Sequence, residues 1–220
     1  MPLAPVRQGH EWDALSRLDE PLRWRKPRTV FVASDLFHES LPDKEIARVL
    51  AVMALCPQHT FMVLTERPKR MLAHVRRIGA HDRGRWPDTH AKAWPLPNVY
   101  LGVRVEDQKT ADERIPLLLA TPAAFRLVLV ERLLGPILLD DPPRYYLGSA
   151  SQRRGMHDGL DGVIVGERVS GLREAVWTRV IVGERGSGLR EAAWARSLTE
   201  QCKAAGVKCW GVRSPRARKE

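Results

Sequence analysis

Four short segments repeat one layout, and that layout admits few folds. Thr29–Ser34 leads into SDLFHE, Thr60–Thr65 into ERP, Val99–Val105 into EDQ, and Val163–Val165 into GER. Each is a run rich in β-branched or aromatic residues that stops at a polar cluster and is followed by a helix-like stretch. Short apolar runs alternating with helical periods describe β/α units of a parallel sheet. Strands in such sheets end side by side, so their polar clusters meet at the C-terminal ends, where α/β proteins build their sites.

The 220 residues bound how far that pattern extends. One core is the expectation at this length, and a closed eight-stranded barrel usually needs about 250 residues. The predicted architecture is therefore α/β, a partial (β/α) barrel of about five or six parallel strands with outer helices. Residues 1–28 read as an N-terminal arm in which Trp12, Leu15 and Leu18 or Leu22 form one amphipathic turn. Residues 29–211 form the single domain, and 212–220 a basic tail.

Periodicity places the elements within that domain. After a first strand at Thr29–Ala33, Pro42 and Asp43 open a helix whose apolar face is Ile46, Val49, Leu50, Met53 and Ala54. Phe61–Leu64 is the second strand and Arg67–Ile78 the second helix. Gly79–Pro97 loses periodicity and reads as a surface loop. Val99–Val105 is the third strand, with Asp107 or Thr110 capping a helix that ends near Ala120. The near-continuous apolar run Phe125–Val130 is a strand buried on both faces. Residues 140–161, with DPP, YY and GSAS, have no clear period and read as a flexible insertion.

A duplication follows. Residues 163–179 read VIVGERVSGLREAVWTR and residues 180–196 read VIVGERGSGLREAAWAR, matching at 14 of 17 positions. Two copies are too few for a solenoid, so one VIVG is expected in the sheet and the other outside its ordinary place. The second copy is preferred, because its helix runs on through Trp194, Leu198 and Cys202 to a C-cap at Gly206. Val207–Trp210 is the last strand.

Composition narrows the function. A formal net charge of +10 favours a polyanionic partner such as nucleic acid, although no recognition helix, zinc finger or aromatic platform accompanies it. The three cysteines, Cys56, Cys202 and Cys209, are too few and too scattered for a disulfide framework or a four-ligand zinc site, and no metal site is expected. They read as reduced, which fits a cytoplasmic protein. No run reaches the apolar length of a membrane span, so no membrane association is expected.

The polar clusters supply the candidate site residues. Ser34, Asp35, His38 and Glu39 follow the first strand. There a histidine near neutral pKa beside carboxylates suits proton transfer, while turn formation by Asp35 or Ser34 is the structural alternative. Thr65, Glu66 and Arg67 follow the second strand, where Arg67 suits a carboxylate or phosphate clamp or an ion pair with Glu66. Glu106 and Asp107 follow the third, and Glu131 is delivered directly by an apolar strand. Gly166 and Glu167, repeated as Gly183 and Glu184, belong to glycine turns that can bring backbone N–H groups to an anion, turn formation being favoured.

Taken together, SDLFHE, LCPQHTFMVLTERP, LPNVYLGVRVEDQKTADERIPLLLATPA, LLGPI, and VIVGE followed by SG resemble a phage-associated, uncharacterised family of three-cysteine-motif proteins, from about Leu18 to Val207. The resemblance implies a radical-SAM-like partial barrel in which a CxxGCxxC-type motif holds a 4Fe-4S cluster that cleaves S-adenosylmethionine. Here the first cysteine is Cys56, Glu66 stands where that family tends to have lysine, and Leu129–Arg132 replace a Ser-x-Glu-Pro turn. The expectation is a diverged or truncated member with no cofactor in this chain and its catalytic status open. The alternative is a non-catalytic protein whose basic surface engages nucleic acid or a phage-encoded protein.

Overall fold

The computed structural model describes residues 9–81, 94–130, 133–140, 146–148, 159–165 and 189–211. Within these, seven strands form one all-parallel sheet, ordered as they follow in the chain. They are β1 (Gly9–Trp12), β2 (Thr29–Val32), β3 (Thr60–Thr65), β4 (Val99–Arg104), β5 (Phe125–Val130), β6 (Gly162–Val165) and β7 (Lys208–Gly211). The helices are α1 (Glu20–Arg23), α2 (Asp43–Leu55), α3 (Pro68–His81), α4 (Gln108–Leu119) and α5 (Leu189–Ala204). Sequential order with helical crossovers is that of a partial β/α barrel. No described helix is long and apolar enough to cross a membrane.

Local chemistry sets the helix ends. Pro42 is extended ahead of α2, and Asp43 and Glu45 sit in its first turn, where carboxylates favour the positive end of the helix dipole. Asp107 and Thr110 make a reciprocal capping box on α4, so both residues named from the sequence take part. Gly206 closes α5 at φ 64° with Val207 N–H donating to the Cys202 carbonyl at 2.8 Å, a left-handed cap that suits glycine.

The sheet has two faces of different character. One carries Val30, Val32, Phe61, Val63, Leu101, Val103, Val128, Val130 and Val163, which merge with the buried sides of α2, α3, α4 and α5 into the main core. The other presents three rows set by the strand register. Phe31, Met62, Tyr100 and Phe125 form the first, with Tyr100 and Phe125 stacked at 4.4 Å. Leu64, Gly102, Leu127 and Gly162 form the second. A Cβ on Gly102 would lie 2.6 Å from Leu127 Cδ1 and 2.7 Å from its carbonyl oxygen, so the row closes only around glycine. Arg104, Leu129 and Ile164 form the third row, nearest the strand C-termini.

The opposite end of the sheet is tied by two buried polar side chains. The Asn98 amide donates to the carbonyls of Met53, Cys56 and His59 at 2.9, 3.1 and 3.2 Å, collecting the orphan carbonyls where α2 ends. His59 Nδ1 accepts from the Arg28 N–H at 3.2 Å, which fixes the proton on Nε2 for donation to the Pro21 carbonyl at 3.2 Å. Burial, with Arg28 adding to it, holds the His59 imidazole below its usual pKa.

Three expectations need correction. The arm is not merely an arm: Gly9–Trp12 is strand β1, and Trp12 is fully buried with its ring 5.5 Å from Phe61. A strand of four residues is too short to declare itself by periodicity, and it raises the strand count to seven. Leu15 and Leu22 of the expected apolar turn are instead exposed. The duplicated unit is also shared differently. The first copy supplies β6 and the second supplies α5, whereas the second-copy VIVG lies outside the described residues. The first copy is anchored by the residues just before it. Asp161 accepts the Arg126 N–H at 2.8 Å through its carboxylate and returns its own N–H to the Arg126 carbonyl at 2.9 Å, whereas Thr178 holds the equivalent place before the second copy.

Because His59 is held neutral, and burial likewise depresses His74, the unfolded chain takes up protons first as pH falls below about 6.5. Both groups therefore contribute stability that is complete above that pH and is lost below it, toward their depressed folded values. Thermal melts should show a steady midpoint above about pH 7 and a fall toward about pH 5, with a shallower fall in His59→Gln. A midpoint that rises on acidification contradicts this.

Candidate functional site

Two polar groups occupy the C-terminal rim of the sheet, one on each face. The first lies on the helix-covered side. Asp35, in the turn after β2, accepts the Thr65 hydroxyl at 2.7 Å and the Phe37 N–H at 3.0 Å on one oxygen, and Arg67 Nη1 at 2.7 Å on the other. Thr65, the last residue of β3, also accepts the Arg67 N–H on its hydroxyl at 2.9 Å. Arg67 Nε reaches Glu39 at 2.5 Å. The Glu39 carboxyl, held chiefly by its own backbone N–H and then by Arg67, lies below its usual pKa, and Arg67 is raised by Glu39 and Asp35.

That arrangement brings Asp35, Glu39, Thr65 and Arg67 together and separates His38 from them. His38 is exposed, with Nδ1 2.8 Å from the Ser40 hydroxyl, and Ser34 is half-buried in the same turn. Asp107 caps α4: Thr110 holds its carboxylate below its usual pKa, its backbone N–H first and its hydroxyl second, while Glu106 is exposed and donates its backbone N–H to Thr110. Glu131, Gly166, Glu167, Gly183 and Glu184 lie outside the described residues.

The second group extends the third inner row. Glu66 continues that face beyond Leu64, and its carboxylate oxygens lie 3.8 Å from Arg104 Nη1 and 3.8 Å from Arg114 Nη2. Arg104 is the last residue of β4, beside Leu129 in the register. Arg114 comes from the second turn of α4 and donates through Nη1 to the Arg104 carbonyl at 2.7 Å, which fixes it against the strand end. Two guanidiniums thus face one carboxylate at distances longer than a hydrogen bond. Glu66 is half exposed, while Arg104 and Arg114 are 34% and 21% exposed, so the group is reachable but confined.

Sequence reasoning named Glu66 and missed both arginines. A signal existed for one of them: Arg104 is the only charge in VYLGVRV, at a position whose register neighbours are apolar. Arg114 gave none, since a charged residue on an exposed helix turn is ordinary.

A third cluster lies lower on the same helix layer. Asp43 at the start of α2 meets Arg70, His74 and Arg77 of α3, whose spacing puts them on one face. Arg77 and then Arg70 hold the Asp43 carboxyl below its usual pKa, and Arg70 also donates to the carbonyls of Phe37, His38 and Leu41. The cluster fastens the SDLFHE turn to α3.

Against this geometry, the family model described as "Protein of unknown function (DUF5131)" matches residues 6–215. The chain belongs to that family. No curated protein and no solved structure matches it.

The iron–sulfur centre implied by the resemblance needs several thiolates at one place. Cys56 caps the end of α2 ahead of β3, Cys202 lies in the last turns of α5, and Cys209 is in the first half of β7. These DUF5131 cysteines therefore lie toward the strand N-termini, away from the polar rim, and only two of them are near each other. Among the described residues no group of three His, Cys, Asp or Glu side chains can hold a metal ion. The residues present do not fit the cluster.

If Asp35 is the acceptor that joins β2 to β3, Asp35→Ala should lower unfolding free energy by about 1–3 kcal/mol, since it strands buried donors. Glu39→Ala, at an exposed carboxylate, should leave the urea midpoint unchanged. Equal effects of the two variants contradict the assignment.

Proposed function

We propose that this chain is a ligand-binding protein on a radical-SAM-like scaffold from a phage-associated family, and that it takes a small carboxylate- or phosphate-bearing molecule at Glu66, Arg104 and Arg114. The carrying observation is the pair of guanidiniums that share one carboxylate at 3.8 Å on the C-terminal rim. Arginine forks match carboxylate and phosphate geometry and gain strength when partly desolvated. Glu66 orients the two guanidiniums and suits a cationic group on the same ligand. S-adenosylmethionine, with a carboxylate, an ammonium and a sulfonium, is the first ligand to test. No redox step is assigned to this rim site, because the chain's thiols do not converge there.

The net charge of +10 favours a second reading, non-catalytic binding of nucleic acid, or of a phage-encoded protein, through the basic surface. Calorimetric titration separates the two. S-adenosylmethionine should bind saturably, and Arg104→Gln should weaken it at least about tenfold, or about 1.4 kcal/mol. No binding, or equal binding by the variant, contradicts the proposal. Tight binding of a DNA duplex that collapses with salt and ignores Arg104→Gln supports the second reading.

A further inference from the structure

The thiols that fail to make a metal site make a pair. Cys202 is fully buried on α5, and Cys209, partly exposed on β7, packs against the same core. The intervening turn is fixed by Gly206 and by the Val207 N–H to Cys202 carbonyl bond of 2.8 Å, so helix end and strand start cannot drift apart. Cys209 pairs in register with Val163 of the helix-covered face, the side on which Cys202 is buried, so both thiols lie between α5 and the sheet.

We propose that Cys202 and Cys209 are a redox-active dithiol that closes reversibly into a disulfide, latching α5 to β7. The partner reaction is exchange with a small-molecule disulfide. Cys209, as thiolate, attacks one sulfur of that disulfide and forms a mixed disulfide, releasing one small thiolate. Cys202, as thiolate, then attacks the Cys209 sulfur and expels the second small thiolate. The two protons lost from the cysteines end on the two small thiols, and the disulfide is reduced as the protein pair is oxidised.

The order of attack follows from position and electrostatics. Cys209 is the less buried of the two, and hydrogen bonding with Cys202 first, then Thr199, holds its thiol below the usual pKa, favouring thiolate. Cys202, donor in that bond and buried, is pushed up and serves as the resolving thiol. Cys56 is buried at the end of α2 and burial raises its pKa, which leaves it outside the exchange.

The test is incubation of the purified full chain with oxidised glutathione, followed by thiol titration in denaturant and peptide mapping. The titre should fall from three thiols to one, with a Cys202–Cys209 peptide, reversal by dithiothreitol and a higher thermal midpoint for the oxidised form. Cys202→Ser should instead accumulate a glutathione adduct on Cys209. Three thiols remaining in the wild-type chain, a stable wild-type adduct on Cys209, or a link through Cys56 each overturns the proposal. The wild-type titration decides even where Cys202→Ser fails to fold.

Discussion

A parallel strand satisfies its backbone only through both neighbours, and each new parallel strand requires the chain to return across one face. That constraint organises the molecule. Seven strands added in sequence order place every return helix on one side and every strand C-terminus at one rim. The helix-covered face then needs apolar positions facing α2 to α5, while the opposite face closes through register rows of its own. Gly102 shows how tight that second face is: any side chain there meets the Leu127 backbone.

The two ends of the sheet have consequently taken different tasks. At the N-terminal end Asn98 and His59 close off carbonyls left by α2 and α1, with no ionised group needed. At the C-terminal rim charges accumulate, but most of them are occupied in holding turns. Asp35 serves three donors, and Asp43 gathers two arginines. Among the described residues, Glu66, Arg104 and Arg114 meet on the inner side of the rim, with both guanidiniums 3.8 Å from the carboxylate.

Much of the fold was legible in the sequence because β/α units announce themselves twice, by a β-branched run and by a helical period. Phe125–Val130 and the helix faces of Ile46, Val49, Leu50 and Met53 follow from pattern alone. What escaped was short or degenerate. β1 offers four residues and no period, and the duplicated VIVG copies are identical, so nothing within that run distinguishes them. The site was less legible for a related reason. Polar clusters at strand ends mark the rim correctly, yet sequence cannot say which face a side chain takes. Thr65 and Glu66 are adjacent and diverge to opposite faces, which sends Thr65 to the Asp35 turn and Glu66 to Arg104.

The central claim is one of place: ligand chemistry at the C-terminal inner rim, away from the thiols at the other end. Backbone amide shifts recorded during titration with S-adenosylmethionine test it directly. Perturbations should concentrate at residues 65–67, 104–106 and 114 and leave residues 56–60 and 202–209 unmoved. Shifts confined to residues 56–60 and 202–209, or spread evenly over the basic surface, would contradict it.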